Sequence, residues 1–201
     1  NGIDKIVVGG EKDKLDKLAE VLLSENINHR KLLVDRAFHT SLMSPAIEPF
    51  TEFLSSFTFR DPNIPISLNL TGDVALEGQI NASYWAQQII RPVLFKKSFE
   101  TISSTGRSIF LEIGPRPVLI NYGKEIIKNM NVNDENLWVS SMHSKRPESL
   151  ELSNSIGRLY CAGVELDWNN LYSGSRFTKT ALANYPFQKQ TLWAIKPHID
   201  G

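Results

Sequence analysis

The sequence predicts an α/β fold, and three observations carry that prediction. Short β-branched runs alternate with stretches whose apolar residues recur at helical spacing. Ser108-Ile109-Phe110-Leu111-Glu112-Ile113 is a strong strand pattern that stops at Gly114-Pro115 and passes into a helical pattern. The first 34 residues read as a strand, a helix and a strand, the dimensions of a β-α-β unit. A chain of 201 residues, 41% of them apolar, can bury one ordinary globular core, or one core with an appendage.

The elements follow in order. Ile3-Asp4-Lys5-Ile6-Val7-Val8 is rich in β-branched residues and ends at Gly9-Gly10. Leu15, Leu18, Ala19, Leu22 and Leu23 then recur as one face of a helix, and residues 28–34 read as the second strand. A helix is predicted over about residues 44–56, with Pro45 and Pro49 in its first turns, where the missing N–H costs least. Ile66-Ser67-Leu68-Asn69-Leu70 reads as a strand ending at Thr71-Gly72. One helix is predicted over residues 82–90, broken at Pro92, and another over residues 93–102. After the strand at residues 108–113, a helix runs from about Pro117 to Lys128. Residues 129–136 are polar and have the composition of a connector, residues 137–142 suggest one more strand, and residues 150–162 suggest a helix. Past Trp168 the composition is that of a loop as far as Tyr185-Pro186-Phe187. A boundary is placed near residues 130–145, and no internal repeat or low-complexity tract is present.

Composition removes several function classes. Lys+Arg and Asp+Glu both number 22, so there is no basic excess to suggest nucleic acid and no acidic tail. Cys161 is the only cysteine, which excludes a disulfide framework and a cysteine-based zinc site within the chain and suggests a reducing, cytoplasmic setting. No apolar run approaches the roughly 20 residues that span a bilayer, so no membrane is expected. The Asn69-Leu70-Thr71 and Asn81-Ala82-Ser83 sequons would matter only in a secretory setting. Asn1 is followed almost at once by a strand pattern, with no signal peptide ahead of it, and the chain reads as cut from something longer.

Four segments, in order, resemble a single family. Ala37-Phe38-His39-Thr40-Ser41-Leu42-Met43 is similar to the motif around the catalytic histidine of polyketide synthase acyltransferases. Asn69-Leu70-Thr71-Gly72, then Tyr84-Trp85 and Arg91-Pro92-Val93-Leu94-Phe95, look like that family's next stretch. Phe110-Leu111-Glu112-Ile113-Gly114-Pro115-Arg116-Pro117-Val118-Leu119 resembles its late strand–turn–helix. Tyr185-Pro186-Phe187-Gln188, with Trp193, looks like the tail of the linker that follows the acyltransferase in a synthase polypeptide. The chain thus resembles the C-terminal part of a malonyl transacylase-like acyltransferase domain from a modular polyketide synthase, together with its linker. The stand-alone relative would be malonyl-CoA:acyl carrier protein transacylase of fatty acid biosynthesis, but the linker motif favours a multifunctional synthase.

The resemblance implies part of an α/β-hydrolase-like acyltransferase core, with part of a ferredoxin-like (α+β) small subdomain. Residues 1–36 would belong to that small subdomain, 37–135 to the C-terminal part of the large one, and 136–201 to the linker. The family's serine attacks the thioester of an acyl-CoA while a histidine takes its proton; the thiol of a carrier protein's phosphopantetheine arm then attacks the acyl-serine. His39 matches that histidine. A base must be held in one tautomer through its other nitrogen, and alignment on Arg91-Pro92-Val93 puts the orienting main-chain carbonyl at Gln88. Phe38, Arg36 and Asn69 are expected at the substrate. Relatives with Ala-Phe-His here usually take malonyl units, because a ring at Phe38 fills the space an α-methyl needs; Arg36 departs from the family's usual His. No cofactor or metal is expected to bind directly. The expected partners are a malonyl-CoA-type donor, an acyl carrier protein and a neighbouring ketosynthase.

The serine's G-x-S-x-G elbow is not in this sequence. Gly106-Arg107-Ser108-Ile109-Phe110 has Phe in place of the second Gly, and Ser108 opens a hydrophobic strand, so it is rejected as nucleophile. The chain alone is therefore expected to be inactive. Two other readings stand beside this one: a structural linker or docking module packing against a ketosynthase, and a carrier-docking remnant. Without the resemblance His39 would be an ordinary surface or capping histidine. His29, His143 and His198 are read as surface residues too scattered for a metal site. Phe38 is either a core aromatic or a pocket wall, and Asn69 either satisfies a strand end or meets substrate. Trp85, Trp138, Trp168 and Trp193 are read as packing residues, and Cys161 as a buried thiol on a helix's apolar face.

Overall fold

The strand–turn–helix pattern at residues 108–128 supplies much of the hydrophobic core of the first part of the chain. The computed structural model describes residues 2–103, 108–130, 135–174, 180–190 and 192; Asn1, Gly106, Arg107, residues 131–134 of the polar run, Trp193 and His198 lie outside them. Strand β1 (Ile109–Glu112) pairs in parallel with β2 (Leu137–Ser140), in the register Ile109↔Leu137, Phe110↔Trp138, Leu111↔Val139 and Glu112↔Ser140. Parallel neighbours cannot be joined by a tight hairpin, and helix α5 (Leu119–Asn129) makes the crossover.

Glu112 joins strand to helix. The first backbone N–H groups of a helix have no partner inside it. Both carboxylate oxygens of Glu112 supply partners: Oε1 accepts from Val118 and Leu119, each at 3.0 Å, and Oε2 from Val118 at 3.1 Å and Ile120 at 2.9 Å. A carboxylate at the positive end of the helix dipole is favourably placed. Across the turn, Gly114 N–H donates to Ser141 Oγ at 3.0 Å, tying the end of β1 to the end of β2.

The core is aromatic. Phe99, on α4 (Phe95–Ser103), lies with its ring 5.0 Å from Phe110 and 5.9 Å from Trp138, and Phe110 stacks on Trp138 at 4.5 Å. Ile120, Ile126 and Ile127 of α5 close the cluster, with Ile3 and Phe95 packed against it. Gly123 lets α5 approach: a Cβ there would lie 2.8 Å from Trp138 Cζ3 and 2.9 Å from two Phe99 ring atoms. Helix α6 (Glu148–Cys161) packs on β2, where Ser155 Oγ donates to the Ser140 carbonyl at 2.5 Å and Glu151 pairs with Arg146 at 3.0 Å.

The remaining helices precede this core: α1 (Lys12–Ser24), a 3₁₀ helix over Ser41–Ala46 that holds Pro45, α2 (Ile47–Leu54) and α3 (Ala82–Ile90). Helix α3 packs against both α2 and the 3₁₀ helix and buries Ala86. Asn81 caps it, its Oδ1 accepting Tyr84 N–H at 3.0 Å. The chain divides into two compact units, Asn1–Val164 and Glu165–Gly201. The second holds α7 (Trp168–Leu171), one turn capped by Asp167 where a loop was expected.

Three further expectations need correction. The β-α-β unit over residues 3–34 is a helix flanked by two segments with no strand pairing, and Ile6, Val7, Leu33 and Val34 are exposed. A strand exists only as one side of a hydrogen-bonded ladder, and no ladder forms on these segments among the described residues. The strand at residues 66–70 is likewise reduced to a single bridge, Ser67↔Val74, around the Gly72 turn. Cys161 is exposed at the last residue of α6 rather than buried, because the helix packs through Glu151 and Ser155.

Adding a methyl at Gly123 forces it into two rings that already touch. Gly123→Ala is expected to cost about 1–3 kcal/mol of stability by overpacking, read from the midpoint of urea unfolding.

Candidate active site

The histidine of the Ala37-Phe38-His39-Thr40 loop stands against the C-terminal end of α3. Its backbone is in the left-handed region, φ 64°, which costs an L-residue roughly 1–2 kcal/mol and needs holding in place. Its N–H donates to the Ile89 carbonyl at 2.7 Å. Thr40 follows in an extended conformation and caps the 3₁₀ helix, its Oγ1 accepting from Leu42 N–H at 3.3 Å while donating to the Ala37 carbonyl at 2.7 Å.

The His39 side chain meets the same helix end. Nδ1 lies 2.9 Å from the Gln88 carbonyl oxygen and 3.1 Å from that of Arg91. Carbonyl oxygens only accept, so Nδ1 carries the hydrogen and the Nε2 lone pair is left for another proton. Nε2 has no hydrogen-bond partner among the described residues, and the ring is exposed. An open Nε2 held in one tautomer can deprotonate a hydroxyl brought to it.

The other expected residues are spread more widely. Phe38 is 55% exposed. Arg36 is exposed and pairs with its neighbour Asp35 at 3.2 Å; among the described residues no hydrogen bond or ion pair joins it to His39 or Asn69. Asn69 is exposed and works through its backbone, its carbonyl accepting Leu94 N–H at 2.8 Å. Burial pushes the Tyr84 phenol above its ordinary pKa, opposed in part by a hydrogen bond from the Asn69 backbone. The following turn is fixed by Lys97, whose Nζ donates to the Thr71 carbonyl at 2.6 Å and to Asp73 at 2.8 Å. The structure therefore brings His39 and Gln88 into contact and leaves Phe38 and Arg36 on the open loop. The Gln88 side-chain Oε1 is buried with no partner among the described residues.

Sequence reasoning missed two contacts at this site. The second acceptor, Arg91 O, is a main-chain atom, and its only signal is the proline that follows it. The other is Gly9: a Cβ there would lie 2.7 Å from Thr40 Cγ2, so the loop before α1 touches the loop that carries His39. Ser108 stands beside the β1–β2 ladder, its carbonyl accepting Leu137 N–H at 3.1 Å. Among the described residues no group of three or more His, Cys, Asp or Glu is placed to hold a metal ion, and no helix is long and apolar enough to cross a membrane.

The chain is similar to known proteins in both sequence and structure. The family model described as an acyl transferase domain matches residues 1–165. Over 203 residues the chain is 28% identical to the phenolphthiocerol synthesis polyketide synthase type I of Mycobacterium marinum, covering 100% of this chain and 9% of that protein. Among solved structures it is similar to the acyltransferase domain from the second module of the salinomycin polyketide synthase, with a TM-score of 0.75 and 28% identity over 89% of this chain and 41% of that one. It is also similar to malonyl CoA-acyl carrier protein transacylase from Clostridium perfringens, with a TM-score of 0.61 and 26% identity over 74% of this chain and 44% of that one. The chain thus spans less than half of these solved proteins and about a tenth of the synthase.

Thr40 is pinned by two hydrogen bonds and cannot easily yield to a larger neighbour. Gly9→Ala is expected to displace Thr40 and with it His39, shifting the His39 ring resonances in NMR while those of His29 and His143 stay in place; unmoved His39 signals would show the contact to be slack.

Proposed function

This chain belongs to the acyl transferase domain family, and from that premise we propose that it supplies the histidine half of a Ser–His acyl-transfer site in a polyketide synthase. The reaction moves a malonyl-type unit from CoA to the phosphopantetheine thiol of an acyl carrier protein. The observation that carries the proposal is the pose of His39, with Nδ1–H held by two carbonyls and Nε2 open.

In the first step, Nε2 takes the proton of a serine hydroxyl as that oxygen attacks the acyl-CoA thioester; the C–S bond breaks and the proton passes to the leaving thiolate of CoA. In the second, Nε2 takes the proton of the carrier's thiol as its sulfur attacks the acyl-serine; the C–O bond breaks and the proton returns to the serine oxygen. The Gln88 carbonyl serves both steps by keeping the ring in one tautomer. No G-x-S-x-G elbow occurs in this sequence, so the serine comes from polypeptide outside it, and the chain alone turns over nothing. The mapping of residues 1–36 to a ferredoxin-like small subdomain, 37–135 to the large subdomain and 136–201 to the linker belongs to the same proposal. So does a place for Phe38, Arg36 and Asn69 at the substrate, with Phe38 disfavouring an α-methyl.

A second role has its own support. Tyr185 and Phe187 are both exposed, with their rings edge-on at 4.9 Å. Two exposed aromatics in an otherwise irregular segment suit packing against a neighbouring ketosynthase, a role that coexists with the transferase.

In a polypeptide joining this chain to a serine-bearing acyltransferase segment, His39→Ala is expected to slow self-acylation from malonyl-CoA by about 10²–10⁴-fold; unchanged acylation would remove His39 from its role. In the same polypeptide, Phe38→Ser is expected to raise the methylmalonyl-to-malonyl acylation ratio by about tenfold, the worth of one methyl in an apolar pocket. An unaltered ratio would leave Phe38 as a surface aromatic.

A further inference from the structure

Helix α3 stops at a proline, and we propose that Pro92 is a positioning residue for His39: by withholding a backbone N–H it keeps the Gln88 carbonyl free to accept the imidazole. The inference rests on reading His39 as the base. In an α-helix each N–H bonds to the carbonyl four residues back, so a continuing helix would bond the N–H of residue 92 to the carbonyl of residue 88. A prolyl nitrogen carries no hydrogen. The series accordingly ends one step earlier, with Arg91 N–H donating to the Gln87 carbonyl at 2.9 Å. The next carbonyl in line, Gln88 O, accepts from His39 Nδ1 at 2.9 Å instead.

The second acceptor has the same origin. The ring of a proline keeps the preceding residue out of the helical region, and Arg91 is extended, φ −89° and ψ 149°. That rotation turns the Arg91 carbonyl away from the helix axis and leaves it 3.1 Å from Nδ1. Farther along, Leu94 N–H is taken by the Asn69 carbonyl at 2.8 Å and does not compete. The ring of Pro92 thereby favours the second acceptor, while its missing N–H leaves the first, the Gln88 carbonyl, free.

The neutral histidine side chain in water prefers its hydrogen on Nε2. Two carbonyls on Nδ1 reverse that preference, so losing them should reverse it back, which ordinary destabilisation does not do.

The test is nitrogen-15 NMR of the His39 ring in the 201-residue chain, at a pH where the ring is neutral, with two replacements at position 92. Pro92→Ala restores the N–H; replacing Pro92 by lactic acid, the ester counterpart of alanine, removes the ring and makes the Arg91 carbonyl a weaker, ester acceptor, but it restores no N–H and leaves the Gln88 carbonyl an amide. The proposal expects the Nδ1–H form to dominate in the parent chain and in the ester variant, and the Nε2–H form to dominate in Pro92→Ala. Retention of Nδ1–H in Pro92→Ala overturns it, and so does loss of Nδ1–H in both variants. If Pro92→Ala does not fold, the ester variant decides alone, its retention of Nδ1–H supporting the proposal and its loss overturning it. The tautomer is read without substrate or nucleophile. Acylation that survived His39→Ala would therefore remove the function and leave the Pro92 result standing.

Discussion

A helix cannot satisfy its own last carbonyls, and everything about the site follows from how α3 meets that constraint. Capping glycines, water or side chains usually supply the missing donors. Here a residue 49 positions earlier in the chain does so. His39 gives its backbone N–H to Ile89 and its ring N–H to Gln88 and Arg91, so the donor that finishes the helix is also the proposed base. The end of α3 and the conformation of the loop are one structural fact.

The energetics of the loop are consistent with that arrangement. A left-handed non-glycine residue costs roughly 1–2 kcal/mol, and each intramolecular hydrogen bond returns on the order of 1 kcal/mol. His39 makes its bonds at 2.7, 2.9 and 3.1 Å, enough to hold the strained backbone against relaxation. Strain of this kind persists only where the surroundings over-determine it. Thr40 and Gly9 supply the rest of that determination from the other side of the loop.

Helices were the most legible part of this sequence and strands the least, for one physical reason. The helix at residues 82–90 carries its own boundary signals, an Asn81 cap and the Pro92 break, and the bonds along it link residues only four apart. A strand at residues 3–8 or 28–34 depends on a partner, and β-branched composition says nothing about whether one is there. Residues 109–112 did become a strand because their partner, residues 137–140, folds beside them. Cys161 was misread because the packed face of α6 is set by Glu151 and Ser155, two polar residues that a hydrophobic pattern passes over. At the site, His39 was nameable through a family resemblance that surrounded it with recognisable residues. The Arg91 carbonyl was not, since a main-chain acceptor has no side-chain signature.

The carboxylate of Glu112 reaches only six to eight residues along the chain to cap α5, whereas β1 and β2 pair residues 28 positions apart, as Ile109 with Leu137. Closing the shorter loop loses less entropy, and local contacts form faster than distant ones. Strand and helix can thus assemble as a nascent unit before the sheet exists, and β2 adds to a surface already in place. The order of folding along this part of the chain is written in the reach of a single side chain.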